Sequence, residues 1–214
     1  MKNVLILGAN GQIAKIVIER ILAEQEDTHL TLLLRNSERL NHLKNDRVKI
    51  LDGDVKDYDV LSQAMKGQDF VFVGFVDHDK GNTSTHHIIK AMKENNVIRV
   101  ISSNVLGIYD EVPGEFGRWN KETIDSGLPT AIESDRLLEK SGLDYTTLRI
   151  PWLNDRDEID YVITHKDEEY VGVSGSRKSI ADVVVRIIAD PDFVNKDSIG
   201  IANANTQDEN RPVY

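Results

Sequence analysis

The sequence alternates short apolar runs of strand length with longer stretches in which apolar residues recur every three or four positions. The short runs are rich in Val, Ile, Leu and Phe, and they cover residues 4–8, 29–34, 47–51, 69–75, 97–103 and 144–150. Because nearly continuous apolar runs suit parallel strands that are covered on both faces, they predict a parallel sheet. The stretches with helical spacing predict amphipathic helices at residues 12–25, 59–67, 84–96 and 133–142.

The residues at the ends of these stretches predict where helices begin and end. Glycine is favoured just after a helix, and short polar residues are favoured just before one. The predicted helix-ending glycines are Gly67 and Gly142, and the predicted N-terminal caps are Asp57, Thr83 or Ser84, and Ser176 in preference to Ser179. The β-α-β-α order predicts an α/β fold, a Rossmann-like doubly wound parallel sheet with right-handed crossovers.

The alternation weakens towards the C-terminus. Residues 151–176 are polar and acid-rich with weak strand signals, and they predict a small C-terminal lobe or lid on the substrate side. The pattern then returns as a helix at 178–190 and a last strand at 198–202. Residues 203–214 form a polar tail that is expected to fray. We therefore expect one domain over residues 1–214.

Composition and charge exclude several classes of protein. The 214 residues are 40% hydrophobic and carry a formal net charge of −10, which disfavours a nucleic acid or an anionic membrane surface as partner. There is no cysteine, so disulfides, thiolate nucleophiles and cysteine-ligated zinc are excluded. With no run of 18 apolar residues and no signal-peptide pattern at the start, a cytoplasmic location is expected.

A glycine pattern follows the first predicted strand. Gly8-x-x-Gly11-x-x-Ala14 stands where a strand turns into a helix, which is the context of the dinucleotide-binding fingerprint. Gly8 would allow the tight turn, Gly11 would let the backbone approach a pyrophosphate, and the helix N-terminus would attract its negative charge. An ordinary tight turn is the alternative. The predicted cofactor-binding residues of this loop are Gly8, Asn10, Gly11, Gln12 and Ile13.

The end of the second strand indicates which nucleotide is bound. Where NAD-binding proteins carry an acidic residue for the ribose hydroxyls, this chain has Arg35, whose guanidinium suits a 2′-phosphate. NADP(H) is therefore favoured, and NAD(H) stays possible if Arg35 is only a solvated loop charge. Asp54 and Val55 are expected near the adenine, and Gly74 and Phe75 along the other half of the cofactor.

These motifs together resemble a known family. They are GANGQIA (8–14), the arginine after the second strand, GDV (53–55), SSNVLGIY (102–109), SGLDYTTLRIPWL (141–153) and SRKSIADVV (176–184). The chain resembles atypical short-chain dehydrogenases/reductases of the NmrA-like NAD(P)H-binding type, described as NADH-flavin or quinone reductases. The resemblance implies a Rossmann fold and a substrate pocket beneath the C-terminal lobe. It also places Pro151, Trp152 and Leu153 beside the nicotinamide or in that pocket, although Trp152 would serve equally as a core residue.

The chain departs from this family at the catalytic pair. Catalytic short-chain reductases use Tyr-x-x-x-Lys, in which the lysine lowers the pKa of the tyrosine, and this chain has Gly127 and Ala131 at those positions. The remaining catalytic candidates are Ser102, Ser103 and Tyr109. The serines are explained equally well by strand-end turn chemistry, and Tyr109 by an amphipathic surface position.

Two functions fit these features. The first is an NADP(H)-dependent oxidoreductase that transfers hydride to a small acceptor such as a quinone or flavin. The second is a non-catalytic NADP(H) sensor that acts on a protein partner. No metal site is expected, because the histidines at 86 and 87 point in different directions on one helix, and His78 would at most border the substrate. The segment 176–179 is interpreted as a capping and docking segment rather than an anion site, and a homo-oligomer stays possible.

Overall fold

The computed structural model describes residues 1–214, which form ten strands and six α-helices. The strands are β1 (Lys2–Leu7), β2 (Thr28–Leu34), β3 (Val48–Asp52), β4 (Phe70–Val73), β5 (Arg99–Val105), β6 (Asp144–Ile150), β7 (Trp152–Asn154), β8 (Val162–Thr164), β9 (Ser174–Ser176) and β10 (Asp197–Ala202). The helices are α1 (Gln12–Glu24), α2 (Tyr58–Met65), α3 (Thr83–Glu94), α4 (Gly114–Ile124), α5 (Leu128–Glu139) and α6 (Arg177–Ala189). Short 3-10 helices cover Ser37–Leu43 and Ala204–Thr206.

Eight strands form one sheet in the order β3-β2-β1-β4-β5-β6-β10-β8. All neighbours are parallel except β8, which runs antiparallel to β10 at the sheet edge. The chain leaves β1 in one direction towards β2 and returns on the other side of β1 as β4. This reversal opens a crevice at the carboxyl ends of β1 and β4, the usual ligand position in such sheets.

Helices cover both faces of the sheet, as the apolar strands require. Helices α1 and α6 bury their apolar stripes against one face, and α2, α3 and α5 bury theirs against the other. The predicted α/β fold, a Rossmann-like doubly wound parallel sheet, is confirmed, and the structure has a strand at each of the seven predicted strand regions.

Four of the predicted helix boundaries are confirmed, Gly142 among them with φ +79° just after α5, and one is wrong. The Asp57 carboxylate accepts hydrogen bonds from two backbone N–H groups at the start of α2, and the Ser176 hydroxyl accepts one from Ser179 N at 2.9 Å. Gly67 follows α2 in the left-handed conformation with φ +71°. Neither Thr83 nor Ser84 caps α3, because the Asp79 carboxylate binds both the backbone N–H and the hydroxyl of Thr83.

The segment after β6 adds one strand to the main sheet and forms a second, two-stranded sheet. Strands β7 and β9 form a separate parallel pair, while β8 extends the main sheet beyond β10. The tail 203–214 does not fray as expected. Asn154 Nδ2 donates to Val213 O at 3.0 Å, and Val213 N donates to Ser174 Oγ at 2.8 Å, so the tail is held against this β7–β9 pair.

Candidate cofactor and substrate site

Two cavities of similar size lie side by side at the carboxyl ends of the parallel strands. The first, here called the basic cavity, has a volume of about 510 Å³ and is lined by Gly8, Asn10, Gly11, Leu33, Leu34, Arg35, Arg39, Gly53, Asp54, Val55, Lys56, Phe75 and Ser84. The second, here called the apolar cavity, has a volume of about 520 Å³ and is lined by Ile13, Gly74, Phe75, Val76, Ser103, Asn104, Val105, Leu106, Ile124, Ile150, Pro151, Trp152, Leu153, Arg177 and Tyr214. Phe75 lines both, so the two cavities adjoin at its ring.

The glycine loop between β1 and α1 requires glycine at two positions. Gly8 has φ +77°, a region that side chains disfavour, and a Cβ there would lie 3.1 Å from Phe75 Cδ1. A Cβ on Gly11 would lie 3.3 Å from Gly8 O and 3.4 Å from Gly74 O. Glycine at these positions therefore lets the loop pass close to Phe75 and to the Gly74 carbonyl, and both glycines line the basic cavity. This loop is the cradle into which a pyrophosphate fits.

The start of helix α1 offers unpaired donors to that cradle. Gly11 precedes the first helical residue, no side chain caps this end, and the first turn carries no acidic residue. The first N–H groups of a helix have no partner within the helix and carry partial positive charge. An anion bound beside the glycine loop therefore meets free donors and a favourable dipole.

The basic cavity concentrates positive charge where the nucleotide's ribose would lie. Arg35 is 77% exposed, and its Nη1 stands 3.7 Å from Asp54 Oδ2, while Arg39 Nη2 donates to Arg35 O at 2.6 Å. Lys56 adds a third cation to this wall and pairs with Asp79 at 3.3 Å. The lining thus has three cationic side chains and one carboxylate. The cavity therefore favours an anionic group over the two hydroxyls of an unphosphorylated ribose.

The apolar cavity is lined mostly by hydrophobic side chains, and Trp152 forms one wall. Trp152 Nε1 donates to Asn120 Oδ1 at 2.9 Å, and its ring packs on Trp119 with centroids 5.0 Å apart. These contacts hold the indole at the wall and leave the cavity open. Trp152 therefore lines the cavity, as the resemblance implies, and also packs against a small apolar cluster, as a core residue would.

The structure brings most of the predicted site residues to these two cavities. Gly8, Asn10, Gly11, Arg35, Asp54, Val55 and Phe75 line the basic cavity, and Ile13, Gly74, Ser103, Pro151, Trp152 and Leu153 line the apolar one. Gln12 is exposed at the start of α1 and lines neither cavity with its side chain. Ser102 is buried in β5 and lines neither.

Tyr109 is not brought to this site. It lines a separate surface depression together with Glu111 and Lys166, and its hydroxyl donates a hydrogen bond to the Asp135 carboxylate. Burial, and then the hydrogen bond and charge of Asp135, raise the pKa of Tyr109 above its ordinary value. Its position and its raised pKa therefore both argue against the predicted role of Tyr109 as proton donor.

The positions that would carry a tyrosine and lysine pair stand at helix α5. Gly127 precedes the helix, and Ala131 is fully buried in its first turns, with its carbonyl accepting a hydrogen bond from Asn104 Nδ2 at 2.9 Å. A Cβ on Gly127 would lie 3.4 Å from Nδ1 of His78, which is itself exposed. Neither position supplies a proton donor to either cavity.

The residues that line the apolar cavity include three polar ones that were not predicted for the site. Asn104 adjoins the predicted Ser103, Arg177 was interpreted as part of a docking segment, and Tyr214 belongs to the tail that was expected to fray. No local pattern marks such residues, because the fold brings together strand ends and a tail that are distant in sequence. Among all residues, no three His, Asp or Glu side chains form a metal-binding group. The longest helices have 13 residues, and none combines the length and apolar character needed to cross a membrane.

Comparison with known proteins agrees with this geometry. A family model described as NAD(P)H-binding matches residues 8–191. A Rossmann-fold NAD(P)-binding family protein from Shigella flexneri is 36% identical, with a TM-score of 0.83, and the match covers 100% of this chain and 99% of that one. A search of curated proteins found no match.

Two further solved structures share the fold over nearly the whole chain. A short-chain dehydrogenase/reductase (wide type) from Veillonella parvula DSM 2008, in complex with NADP, is 26% identical with a TM-score of 0.92, covering 100% of this chain and 99% of that one. An anaerobillin reductase from Escherichia coli O157:H7 is 19% identical with a TM-score of 0.77, covering 99% of this chain and 100% of that one, and it shows the fold alone. The resemblance to atypical short-chain dehydrogenases/reductases is confirmed. This chain therefore belongs to the NAD(P)H-binding family, and its Rossmann-like domain is an NAD(P)H-binding domain.

Proposed function

We propose that this protein is an NADPH-dependent reductase that passes hydride to a small aromatic acceptor such as a quinone or a free flavin. The observation that carries the proposal is the pairing of the two cavities. A cation-rich cavity and an apolar cavity of about 520 Å³ adjoin at Phe75 beside the glycine loop. A dinucleotide has one charged, phosphate-bearing half and one half that ends in a flat ring, so the order of the cavities matches the order of its parts.

The preference for NADPH over NADH rests on the basic cavity. Arg35 and Arg39 would hold the 2′-phosphate, since planar guanidinium groups donate charge-assisted hydrogen bonds to phosphate oxygens. Asp54, 3.7 Å from Arg35, would steer that guanidinium rather than bind the phosphate itself. The NADP in the Veillonella parvula protein supports this choice.

The apolar cavity would supply orientation and exclusion of water. When bound, the reduced cofactor supplies a hydride from C4 of its nicotinamide ring. Ile13, Pro151 and Trp152 would keep the reacting rings dry and face to face. The Ser103 hydroxyl would donate a hydrogen bond to a carbonyl of the hydride acceptor, because Ser103 lines the cavity in which that molecule would bind.

The lining also limits the chemistry. No Asp, Glu, His or Lys side chain lines the apolar cavity, so no side chain there acts as a strong acid. Reduction of a quinone to a hydroquinone takes one hydride and one proton, and here that proton would come from water. Quinones and flavins suit such a site, because they accept hydride readily without a strong acid.

The alternative function, a cofactor sensor without turnover, predicts a filled or shallow space beside the nicotinamide. Two aromatic residues would fill it in that case, Trp152 and Tyr109. Trp152 is tied to Asn120 at the wall, and Tyr109 is bound to Asp135 in a separate depression. The open cavity therefore favours the enzyme.

The proposal is tested by following NADPH oxidation in a panel of quinones and flavins. We expect turnover with at least one quinone and a lower kcat/KM with NADH than with NADPH. Tight NADPH binding without turnover in the whole panel would contradict the reductase and favour the sensor.

A further inference from the structure

We propose that the acceptor carries a negatively charged substituent, that Arg177 binds this substituent, and that Tyr214 packs against the acceptor's ring. The inference rests on the proposed function, in that it takes the apolar cavity as the acceptor site. It adds the substrate class: planar aromatic acceptors with a carboxylate, sulfonate or similar anionic group.

The charge of the cavity wall is the first argument. Arg177 is the only charged residue among the fifteen that line the apolar cavity. The chain as a whole carries a formal net charge of −10, yet no Asp or Glu side chain lines this cavity. A single cation on an apolar wall acts through a low dielectric, where it attracts an anion more strongly than it would in water.

The Arg177 guanidinium has donors to spare. It is the first residue of α6, its side chain is 20% exposed, and its Nη1 donates to Asp155 Oδ1 at 2.8 Å. Its Nε is buried without a hydrogen-bond partner. Asp155 is 81% exposed, so this ion pair is weak and leaves Nη2 of the guanidinium free for an anion.

The backbone before Arg177 fixes where the guanidinium starts. The Ser176 hydroxyl accepts from Ser179 N at 2.9 Å and donates to Glu158 O at 2.6 Å. Both serines are fully buried. The first turn of α6 is therefore rigid, and a rigid base limits how far the Arg177 side chain can move from the cavity.

Tyr214 supplies an aromatic surface at the same cavity. The residue is 76% exposed, although the backbone beside it is anchored through Val213 to Ser174 and Asn154. Arg156 Nη2 also donates to Tyr214 O at 3.3 Å. An exposed aromatic ring becomes buried when a planar ligand packs on it. Because the backbone is already anchored, little conformational entropy of the chain is lost.

The inference is tested by binding, with no turnover needed. The probes are naphthalene-2-sulfonate and its neutral isostere naphthalene-2-sulfonamide, titrated calorimetrically into the protein saturated with NADP⁺. We expect the native protein to bind the sulfonate at least about tenfold more tightly than the sulfonamide, which is the scale of one charge-assisted contact. Arg177→Gln should reduce this ratio of affinities to about one. Arg177→Lys should keep part of the preference.

Three variants separate this explanation from others. Arg118→Gln removes an exposed arginine that lines neither cavity and should keep the native ratio, which controls for net charge. Asp155→Asn should raise the ratio, because it frees the guanidinium. Tyr214→Ala should weaken both probes several-fold without changing the ratio, and Tyr214→Phe should restore them.

The inference is overturned if the native protein binds both probes equally, if it binds neither, or if Arg177→Gln weakens both equally. It is also overturned if Arg177→Gln weakens NADP⁺ itself, since the guanidinium would then belong to the cofactor's site. None of these results depends on NADPH oxidation. A failure of the proposed function would show instead as absent turnover in the acceptor panel.

Discussion

At the residue scale, a few side chains and glycines give the two cavities their charge and shape. Arg35 and Arg39 make one wall cationic, while Gly8 and Gly11 let the loop pack closely against Phe75 and the Gly74 carbonyl. The sequence identified three of these from their position in the pattern. It did not identify Arg177 at the second cavity, because a cation at the start of a helix looks the same in sequence whether it faces solvent or a pocket.

Removing the Arg35 guanidinium should affect one nucleotide only. We expect Arg35→Gln to weaken NADPH about tenfold, because one charge-assisted contact to the 2′-phosphate is lost, and to change NADH affinity less than about twofold. Calorimetric titration of both nucleotides measures this, with Arg118→Gln as the control for net charge. Unchanged NADPH affinity in Arg35→Gln would place the 2′-phosphate elsewhere.

Gly8 and Gly67 make a matched pair for the glycine loop. Both have positive φ, +77° and +71°, but a Cβ on Gly8 would lie 3.1 Å from Phe75 Cδ1 whereas Gly67 has open space. Each change to Ala should lower the free energy of unfolding by about 1–2 kcal/mol through backbone strain. Only Gly8→Ala should also weaken NADPH more than about tenfold, because its methyl group displaces the ring that borders both cavities.

Urea unfolding gives the stabilities of these two variants, and titration gives their NADPH affinities. Equal NADPH affinity in Gly8→Ala and Gly67→Ala would mean that the loop backbone does not hold the cofactor.

The buried Asp135 predicts a dependence of stability on pH. Burial raises the pKa of Asp135, and the hydrogen bond from Tyr109 opposes this only in part. A carboxyl whose pKa is raised on folding contributes stability below its unfolded pKa, and that contribution is lost as the pH rises through the folded value. Asp135→Asn does not titrate. The free energy of unfolding of this variant, relative to the native protein, should therefore rise between pH 4 and pH 8 in urea titrations, and a constant difference would contradict this.

At the scale of elements, the sequence predicts those helices and strands that have a local apolar pattern. It does not predict strands that form only because they pair with a distant segment. The central strands and α1 to α3 follow from apolar spacing alone. Helix α4 was missed because its eleven residues include only three large apolar ones, Phe116, Trp119 and Ile124, together with two glycines, which disfavour a helix. Helix α5 was expected from residue 133 but begins at Leu128.

The edge strand β8 shows why pairing could not be foreseen. Its three residues join the sheet because Gly200 in β10 leaves room beside them. A Cβ there would lie 2.4 Å from Thr164 Oγ1 and 2.5 Å from Tyr170 Cε2. Tyr170 is fully buried, and its hydroxyl donates to Arg149 O and Ile201 O. A contact between positions so distant in sequence leaves no periodic signal.

The cap of α6 gives a prediction for this element. Ser176→Ala should lower the free energy of unfolding by about 2 kcal/mol, because it removes the N-terminal cap and also leaves the partly buried Glu158 carbonyl without its donor. Asp57→Ala, which removes only the cap of α2, should cost about 1 kcal/mol. Equal losses for the two variants in urea unfolding would contradict the second role of Ser176.

At the scale of the whole molecule, the doubly wound sheet places one long crevice where its winding reverses. The basic cavity lies at the ends of β1, β2 and β3, and the apolar cavity lies at the ends of β4, β5 and β6 with the tail beside it. The two cavities adjoin at Phe75, and the second one offers an apolar wall to a flat ring. This arrangement is the basis of the proposed hydride transfer.

The most direct test of that claim uses NADPH deuterated at C4 in either the R or the S position, with the quinone that turns over best in the panel. The account predicts that the NADP⁺ formed keeps the deuterium from one isomer and loses it from the other, because a bound nicotinamide presents one face to the acceptor. Equal loss from both isomers, or no NADP⁺ above the rate without protein, would contradict it.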